Sequence, residues 1–291
     1  MAGAQAQYKD RLFSFLFGSE EHRDWTLSLY NAVNNTHYDN PDDISIETLR
    51  QVLYLGMHND VAFIIADILS LYEQQSTFNP NMPLRMLEYT VNLFEKHIRR
   101  TGANKYGHRQ IMLPVPKLVV FYNGAEDEPD ERVLSLSDAF SCEHGNISDI
   151  SVRVRMINVN IGHNQKLLDS CQALNEYAWI VDNIRALKPV LGLENAIDQT
   201  IESLPSQALT RPYLEAHKAE VKDMLLTEYN EAEAMDLFKA EGRAEGRAEG
   251  REDERVNNIR SLMDSLKITA RQAMDALRIP ADEQDRYMKS L

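Results

Sequence analysis

The chain has 291 residues, 43% hydrophobic and 26% charged, which is enough for one sizeable core and a smaller appendage. No apolar run approaches the roughly 20 residues of a membrane helix, so no membrane partner is expected. The net charge of −14 argues against indiscriminate nucleic-acid binding, because the phosphate backbone attracts Lys and Arg. The two cysteines lie in no metal-ligand spacing and the N-terminal segment lacks a signal pattern, which favours a cytoplasmic setting.

Helical and strand-like periodicities alternate from the start of the chain. Residues 8–36 have apolar positions at helical spacing with a break at Gly18, which predicts two short helices. Residues 44–75 are rich in Val, Ile, Leu and Tyr and predict strands. Helical spacing returns at Pro83, where the proline suits the first turn of a helix.

Two further strands and a helix complete a first domain over residues 1–190. The run "LPVPKLVVFYNG" predicts a buried strand that ends at its glycine, and "SVRVRMINVNIG" alternates with period two. The stretch "NQKLLDSCQALNEYAWIVDNIRAL" predicts one helix. The order of helix, sheet, helix, strand, strand and helix indicates an α/β fold with a mixed sheet.

The rest of the chain carries almost no strand signal. Residues 191–255 predict a helical linker or association region that contains the repeat "AEGRAEGRAEGR", whose glycines weaken an isolated helix. A period of four makes a ridge of small residues on a helix, so the segment is either a linker or a self-association surface. Residues 256–291 predict a small helical tail with a helix, a turn and a second helix, which is either a capping bundle or a DNA-reading element.

A basic segment contrasts with the acidic mean charge. Residues 96–117 contain six Lys or Arg and no Asp or Glu, and they form either a solvated surface or one that faces phosphates. The loop "STFNPNMPLR" leads into a helix whose N-terminus could hold a phosphate beside an arginine. The candidate nucleic-acid contacts are Arg85, Lys96, Arg99, Arg100, Lys105 and Arg109.

Polar residues stand at the ends of two neighbouring apolar runs, "DVAFIIA" and "DILSLYEQQ". If these runs are antiparallel strands joined by a two-residue turn, Ile65 faces Ile68. Counting outward then places Asp60 opposite Glu73, with Cβ atoms about 4.5–5.5 Å apart, and Gln75 on the same face. Like charges so opposed favour a divalent cation with oxygen ligands between them. The alternative is a solvated carboxylate pair without a ligand.

The spacing from Asp60 to Glu73-x-Gln75 resembles the core of the PD-(D/E)XK nuclease superfamily, with Gln where the common pattern has Lys. The chain more specifically resembles the Rpn group of recombination-promoting nucleases and transposase-like proteins. The matching stretches are "YKDRLFSFLFGSEE", "NDVAF", "YEQQSTFNPNMPLRMLEY", "LPVPKLVVFYNG" and the Ala-Glu-Gly-Arg repeat. This resemblance implies a restriction-endonuclease-like mixed sheet flanked by helices, with an all-helical C-terminal extension.

The resemblance also implies roles for individual residues. Asp60 and Glu73 would be metal-binding and catalytic carboxylates, and Gln75 would be the polar replacement for the lysine. The backbone carbonyl of Gln74 would be an additional metal ligand. Asp10 matches an acidic position on a helix near the site.

The implied function is a DNA endonuclease that uses Mg²⁺ or Mn²⁺ to hydrolyse phosphodiester bonds, linked to DNA recombination, mobility or defence against phage. Cutting both strands of a duplex needs two active sites or one that reorients, which favours a homodimer or higher oligomer formed through the C-terminal region. The alternatives are a catalytically inactive DNA-binding protein and an oligomerising or regulatory protein on the same fold.

Overall fold

The sheet and its helices are seen in a computed structural model that describes residues 11–48, 60–140, 147–288 and 291, without the side chains of residues 231–253 and 281–282. The strands are β1 (Ser45–Ile46), β2 (Val61–Ile65), β3 (Ile68–Gln75), β4 (Val115–Tyr122), β5 (Glu131–Ser135) and β6 (Arg153–Asn158). The helices are α1 (Leu12–Phe17), α2 (Arg23–Asn34), α3 (Met82–Thr101), α4 (Gln165–Ser170), α5 (Gln172–Leu191), α6 (Leu193–Ser203), α7 (Arg211–Ala216), α8 (Lys218–Leu266), α9 (Ala270–Ala276) and α10 (Ala281–Tyr287). The predicted α/β class with a mixed sheet is confirmed.

The described strands form one sheet in the order β1–β2–β3–β4–β6–β5. The first three strands are antiparallel neighbours, whereas β3, β4 and β6 run parallel and β5 closes the far edge in the antiparallel sense. Parallel neighbours need a long crossover, and α3 provides it between β3 and β4. The carboxyl ends of the three parallel strands therefore meet at one edge of the sheet.

Helices cover both faces of the sheet. Strand side chains alternate between faces, and one face buries Phe63 and Tyr72 in a large core with α1, α2 and α5. The other face buries Leu69 and Leu71 against α3. Because helices cover both faces, the central strands have apolar side chains on both faces and their sequences are continuous apolar runs.

Local signals explain where the helices begin and end. The predicted break at Gly18 is confirmed, because α1 ends there and the Gly18 amide donates to the Ser14 carbonyl at 2.7 Å. The single helix predicted across Cys171 is wrong: this buried residue has an extended backbone, φ −138° and ψ 96°, which separates α4 from α5. Strand β5 was not predicted, since the acidic, turn-rich "GAEDEPDE" precedes it.

The first compact unit ends at Ala232, beyond the expected boundary at residue 190. It extends so far because α6, α7 and the first turns of α8 bury apolar side chains in the core, among them Ile197, Leu214 and Leu225. Among the helices that the structure describes, none combines the length and the apolar composition that a membrane crossing requires.

The second compact unit spans residues 233–291 and is helical throughout its described elements. The Ala-Glu-Gly-Arg repeat lies within α8. Ile259 near the end of that helix packs with Met274 of α9 and Tyr287 of α10 in a small apolar cluster. A capping box between Thr269 and Gln272 begins α9, which fixes the turn between the helices.

Candidate active site

A tight turn between β2 and β3 sets the register of the site. Ile65 pairs with Ile68, as predicted, and the pairing continues without a bulge to the open end of the hairpin. Ala66 and Asp67 make the turn with φ of 47° and 62°. Two successive positive φ values are typical of a type I′ turn, whose twist matches that of the strands it joins.

Asp60 and Glu73 meet at the open end of this hairpin. They lie one position beyond the last paired residues of β2 and β3, so the pleat directs both to one face of the sheet. The amide of Asp60 donates to Glu73 Oε2 at 3.4 Å, and the amide of Gln74 donates to Asp60 Oδ2 at 2.6 Å. The backbone of each strand thus holds the carboxylate of the other.

Glu73 is buried, with 2% of its surface exposed, and its environment favours the neutral acid. The pKa of Glu73 is raised to about 8, first by burial and then by repulsion from Asp60. Attraction by Arg85 and Arg11 opposes the shift without cancelling it. Arg85 Nη2 donates to Glu73 Oε1 at 2.6 Å and to the hydroxyl of Tyr89 at 2.9 Å.

Gln75 lies on the same face as Glu73, towards α3. Its amide is satisfied at both ends when Oε1 accepts from Arg85 Nη1 at 2.9 Å and Nε2 donates to the Thr77 carbonyl at 3.3 Å. The neutral residue at the lysine position of the resemblance is therefore in contact with a guanidinium.

Gln74 presents only its backbone to the carboxylates. Its carbonyl accepts from Arg11 Nη1 at 3.1 Å, which places a second guanidinium beside the strand end. Its side chain is fully buried on the opposite face, where its amide lies 2.7 Å from that of Asn123. Asn123 in turn donates to the hydroxyl of Tyr177 at 2.8 Å. These hydrogen bonds hold the end of β3 on the face opposite the carboxylates.

The oxygen atoms gathered here suit a hard divalent cation. Asp60 and Glu73 supply two carboxylates, and the Gln74 carbonyl is adjacent. Within the described residues no group of three or more His, Cys, Asp or Glu could hold a metal ion. Mg²⁺ commonly takes one or two carboxylates and completes its shell with water and phosphate, so the donor set fits it. Asp10 lies outside the described residues.

The predicted basic surface is largely paired with carboxylates. Lys96 and Arg100 both bind Glu47, whose side chain is buried, with the Lys96 pair at 3.1 Å. Lys105 pairs with Glu95 of α3. Glu47 is distant in sequence and Glu95 lies just before residues 96–117. These two carboxylates offset part of the positive charge of that segment in the folded chain.

Arg99 and Arg109 are exposed, as are the paired Arg100 and Lys105. Arg99 stands in the last turn of α3, where its Nε donates to the Glu95 carbonyl at 3.3 Å, and Arg109 lies in the following loop. Arg85 is instead part of the carboxylate site. The role of these six residues in binding nucleic acid stays a prediction.

Sequence reasoning missed Arg11 and Tyr89. Arg11 follows Asp10 within a stretch that carried the resemblance. Tyr89 stands four residues after Arg85, so Arg85 and Tyr89 lie on one side of a helix.

Comparisons of the chain with protein-family models, with curated proteins and with solved structures gave no match. The chemistry of the site is accordingly inferred from its own residues.

Proposed function

We propose that the chain is a Mg²⁺-dependent DNA endonuclease whose metal-binding carboxylates are Asp60 and Glu73. One observation carries this proposal: two carboxylates converge on one face at the carboxyl edge of a mixed sheet, and one of them is buried beside the other. Opposed like charges destabilise a sheet unless a positive group balances them. Arg85 and Arg11 supply positive charge here, and the carboxylate and carbonyl oxygens are ligands that a hard divalent cation prefers.

The surrounding elements support the finer, restriction-endonuclease-like description of the fold. Helix α1, the β2–β3 hairpin and α3 follow one another along the chain, and the sheet between them is mixed and covered on both faces. The resemblance implies this arrangement for the residues that match its motifs.

The roles of the residues follow from their surroundings. Bound Mg²⁺ would lower the pKa of a coordinated water and neutralise charge that develops on the scissile phosphate. Asp60 and Glu73 would hold the cation, with the Gln74 carbonyl as an additional oxygen donor. The Gln74 amide orients the Asp60 carboxylate before substrate binds, so little reorganisation is needed. Gln75 can orient a water but has no charge with which to stabilise an anion.

The substrate would be DNA, approached through exposed basic residues such as Arg99 and Arg109. A role in DNA recombination, mobility or defence against phage is part of the proposal and comes from the resemblance alone. The second candidate function is an inactive DNA-binding protein on the same fold, which the neutral Gln75 favours. Duplex binding without metal-dependent cleavage would identify it.

A plasmid cleavage assay with the full chain tests the proposal. Glu73→Gln removes a metal-binding carboxylate at constant volume and should lower the Mg²⁺-dependent rate by about a hundredfold or more, as should Asp60→Asn. Asp138→Asn makes the same change at an exposed carboxylate and should cut at the wild-type rate. Cleavage that persists in EDTA, or that survives in both site variants, would exclude the assignment.

A further inference from the structure

The side chain of Gln75 is neutral, and the guanidinium of Arg85 lies beside it. When the Gln75 amide is oriented so that both its ends are satisfied, Arg85 Nη1 donates to Gln75 Oε1 at 2.9 Å, and Arg85 Nη2 donates to Glu73 Oε1 at 2.6 Å. Arg85 therefore contacts both polar residues of the Glu-x-Gln segment. It comes from the first turns of α3, three residues after the helix begins at Met82.

Tyr89 also holds this guanidinium. Its hydroxyl accepts from Arg85 Nη2 at 2.9 Å, and its ring lies 5.8 Å from the guanidinium carbon. The Arg85 side chain still has 36% of its surface exposed, although Glu73 beneath it is sealed from water. Arg85 Nη1 also lies 3.4 Å from the Met82 sulfur, so the contacts with described residues use the four Nη hydrogens and leave the Nε hydrogen for a ligand. The guanidinium is thus held through its Nη atoms, while its side chain stays partly exposed.

We propose that Arg85 supplies the positive charge that Gln75 lacks, by contacting the phosphate of the nucleic acid bound at Asp60 and Glu73. This inference rests on the proposed function. A guanidinium donates charge-assisted hydrogen bonds to phosphate oxygens, and Nε of Arg85 can donate one such bond while the positive charge lies beside the phosphate. Asp60 approaches Glu73 from the Oε2 side, whereas Arg85 is on the Oε1 side. Arg85 can therefore stay beside Glu73 while the other side of that carboxylate faces a cation.

A charge-relocation experiment in the full chain tests this role. Arg85→Met removes the charge and should lower the Mg²⁺-dependent plasmid cleavage rate by about a hundredfold. Adding Gln75→Lys to Arg85→Met returns an ammonium to the same place and should recover at least tenfold of that loss. The matched control is Arg153→Met, an exposed arginine at the start of β6 and so at the opposite end of the sheet, which should cut like the wild type.

Two binding measurements separate phosphate contact from damage to the metal site. Arg85→Met should bind Mn²⁺ with an affinity within about threefold of the wild type, measured by titration calorimetry. Its binding to a duplex in Ca²⁺ should have a salt dependence shallower by about one unit of the logarithmic slope, because one phosphate contact is lost. Gln75→Lys in the same chain should restore the slope.

The outcomes distinguish this inference from the proposed function. If the wild type cuts in Mg²⁺ and Arg85→Met cuts equally well, or loses activity without recovery in the double variant, the role of Arg85 is wrong and the nuclease remains. If the wild type neither binds Mn²⁺ nor cuts, the proposed function itself fails. Should thermal melting show that Arg85→Met does not fold, Arg85→Gln, which can still donate to Glu73, takes its place with the same expected results.

Discussion

Ile65 pairs with Ile68 across the two-residue turn between β2 and β3, and this pairing determines where Asp60 and Glu73 meet. Side chains in a strand alternate with period two, so a slip of one residue would carry Asp60 to the face opposite Glu73. The turn, which lies at the far end of the hairpin, is therefore part of how the site is built.

The sequence of this turn is not the one that stabilises its conformation best. Ala66 and Asp67 adopt positive φ, a conformation that costs residues with a Cβ about 1–2 kcal/mol and that Asn-Gly adopts readily. Ala66→Asn with Asp67→Gly should raise the free energy of unfolding in urea by about 1 kcal/mol and leave the register unchanged. The carbonyl at position 67, which accepts from the Val115 amide at 2.8 Å, is kept. A lower free energy of unfolding would show that the native side chains contribute more than the turn geometry.

The raised pKa of Glu73 predicts how stability depends on pH in the absence of divalent metal. A carboxyl whose folded pKa lies above its unfolded value stabilises the protein fully below the unfolded pKa of about 4.5, and this contribution is lost as pH rises through about 8. Glu73→Gln has no proton to lose. The free energy of unfolding of the variant relative to the wild type should therefore increase from pH 5 to pH 9, as measured by urea denaturation in EDTA.

Metal should reverse this trend. At pH 8 or above, millimolar Mg²⁺ should raise the melting temperature of the wild type, since a ligand that binds only the folded state stabilises it. Glu73→Gln should show little increase. For the measurement in EDTA, a difference in the free energy of unfolding between Glu73→Gln and the wild type that does not vary with pH would mean that the pKa of Glu73 is ordinary in the folded chain.

The sequence predicts the hairpin and its carboxylates because the information is local. Two apolar runs and the two residues between them set the register from Ile65 outward, and the structure has that register. The contact of Arg85 with Glu73 joins residues twelve apart on a strand and a helix, and no periodicity reports how a helix docks on a sheet. The pairing of Lys96 with Glu47 escapes prediction for the same reason, as it spans 49 residues.

Exposed arginines provide the test of duplex binding. Charge reversal at Arg99 and Arg109 should weaken binding to all sequences and lower the salt slope by about one unit for each phosphate contact that is lost. Fluorescence anisotropy at several salt concentrations measures both quantities, with Arg153→Glu as the control for the change in net charge. Equal affinities and slopes in all three variants would exclude Arg99 and Arg109 from the DNA interface.

The contacts of Glu47 indicate a structural role for Lys96 and Arg100 of the basic segment. Its buried carboxylate accepts from Lys96 and Arg100, and its amide donates to the Ala62 carbonyl at 2.7 Å, so it joins the end of α3 to the sheet. Glu47→Gln should lower the free energy of unfolding by about 1–3 kcal/mol, because hydrogen bonds to a charged group are lost from a buried position. Glu131→Gln breaks an exposed pair with Arg155 and should cost less than about 1 kcal/mol. Equal losses would show that burial of Glu47 adds nothing.

The last prediction concerns assembly through residues 233–291. A chain shortened to residue 188 would expose the core that α6 and α7 cover, so the informative truncation ends at Ala232, where the first compact unit ends. We expect the full chain to scatter light as a homodimer or higher oligomer and the truncated chain to scatter as a monomer, because the removed part is helical and carries the repeat with its ridge of small residues. The truncated chain should keep the Mg²⁺-dependent rise in melting temperature, since Asp60 and Glu73 lie in the first unit. An oligomeric state unchanged by truncation would assign assembly to the first unit and leave the second as a tether or a binding element.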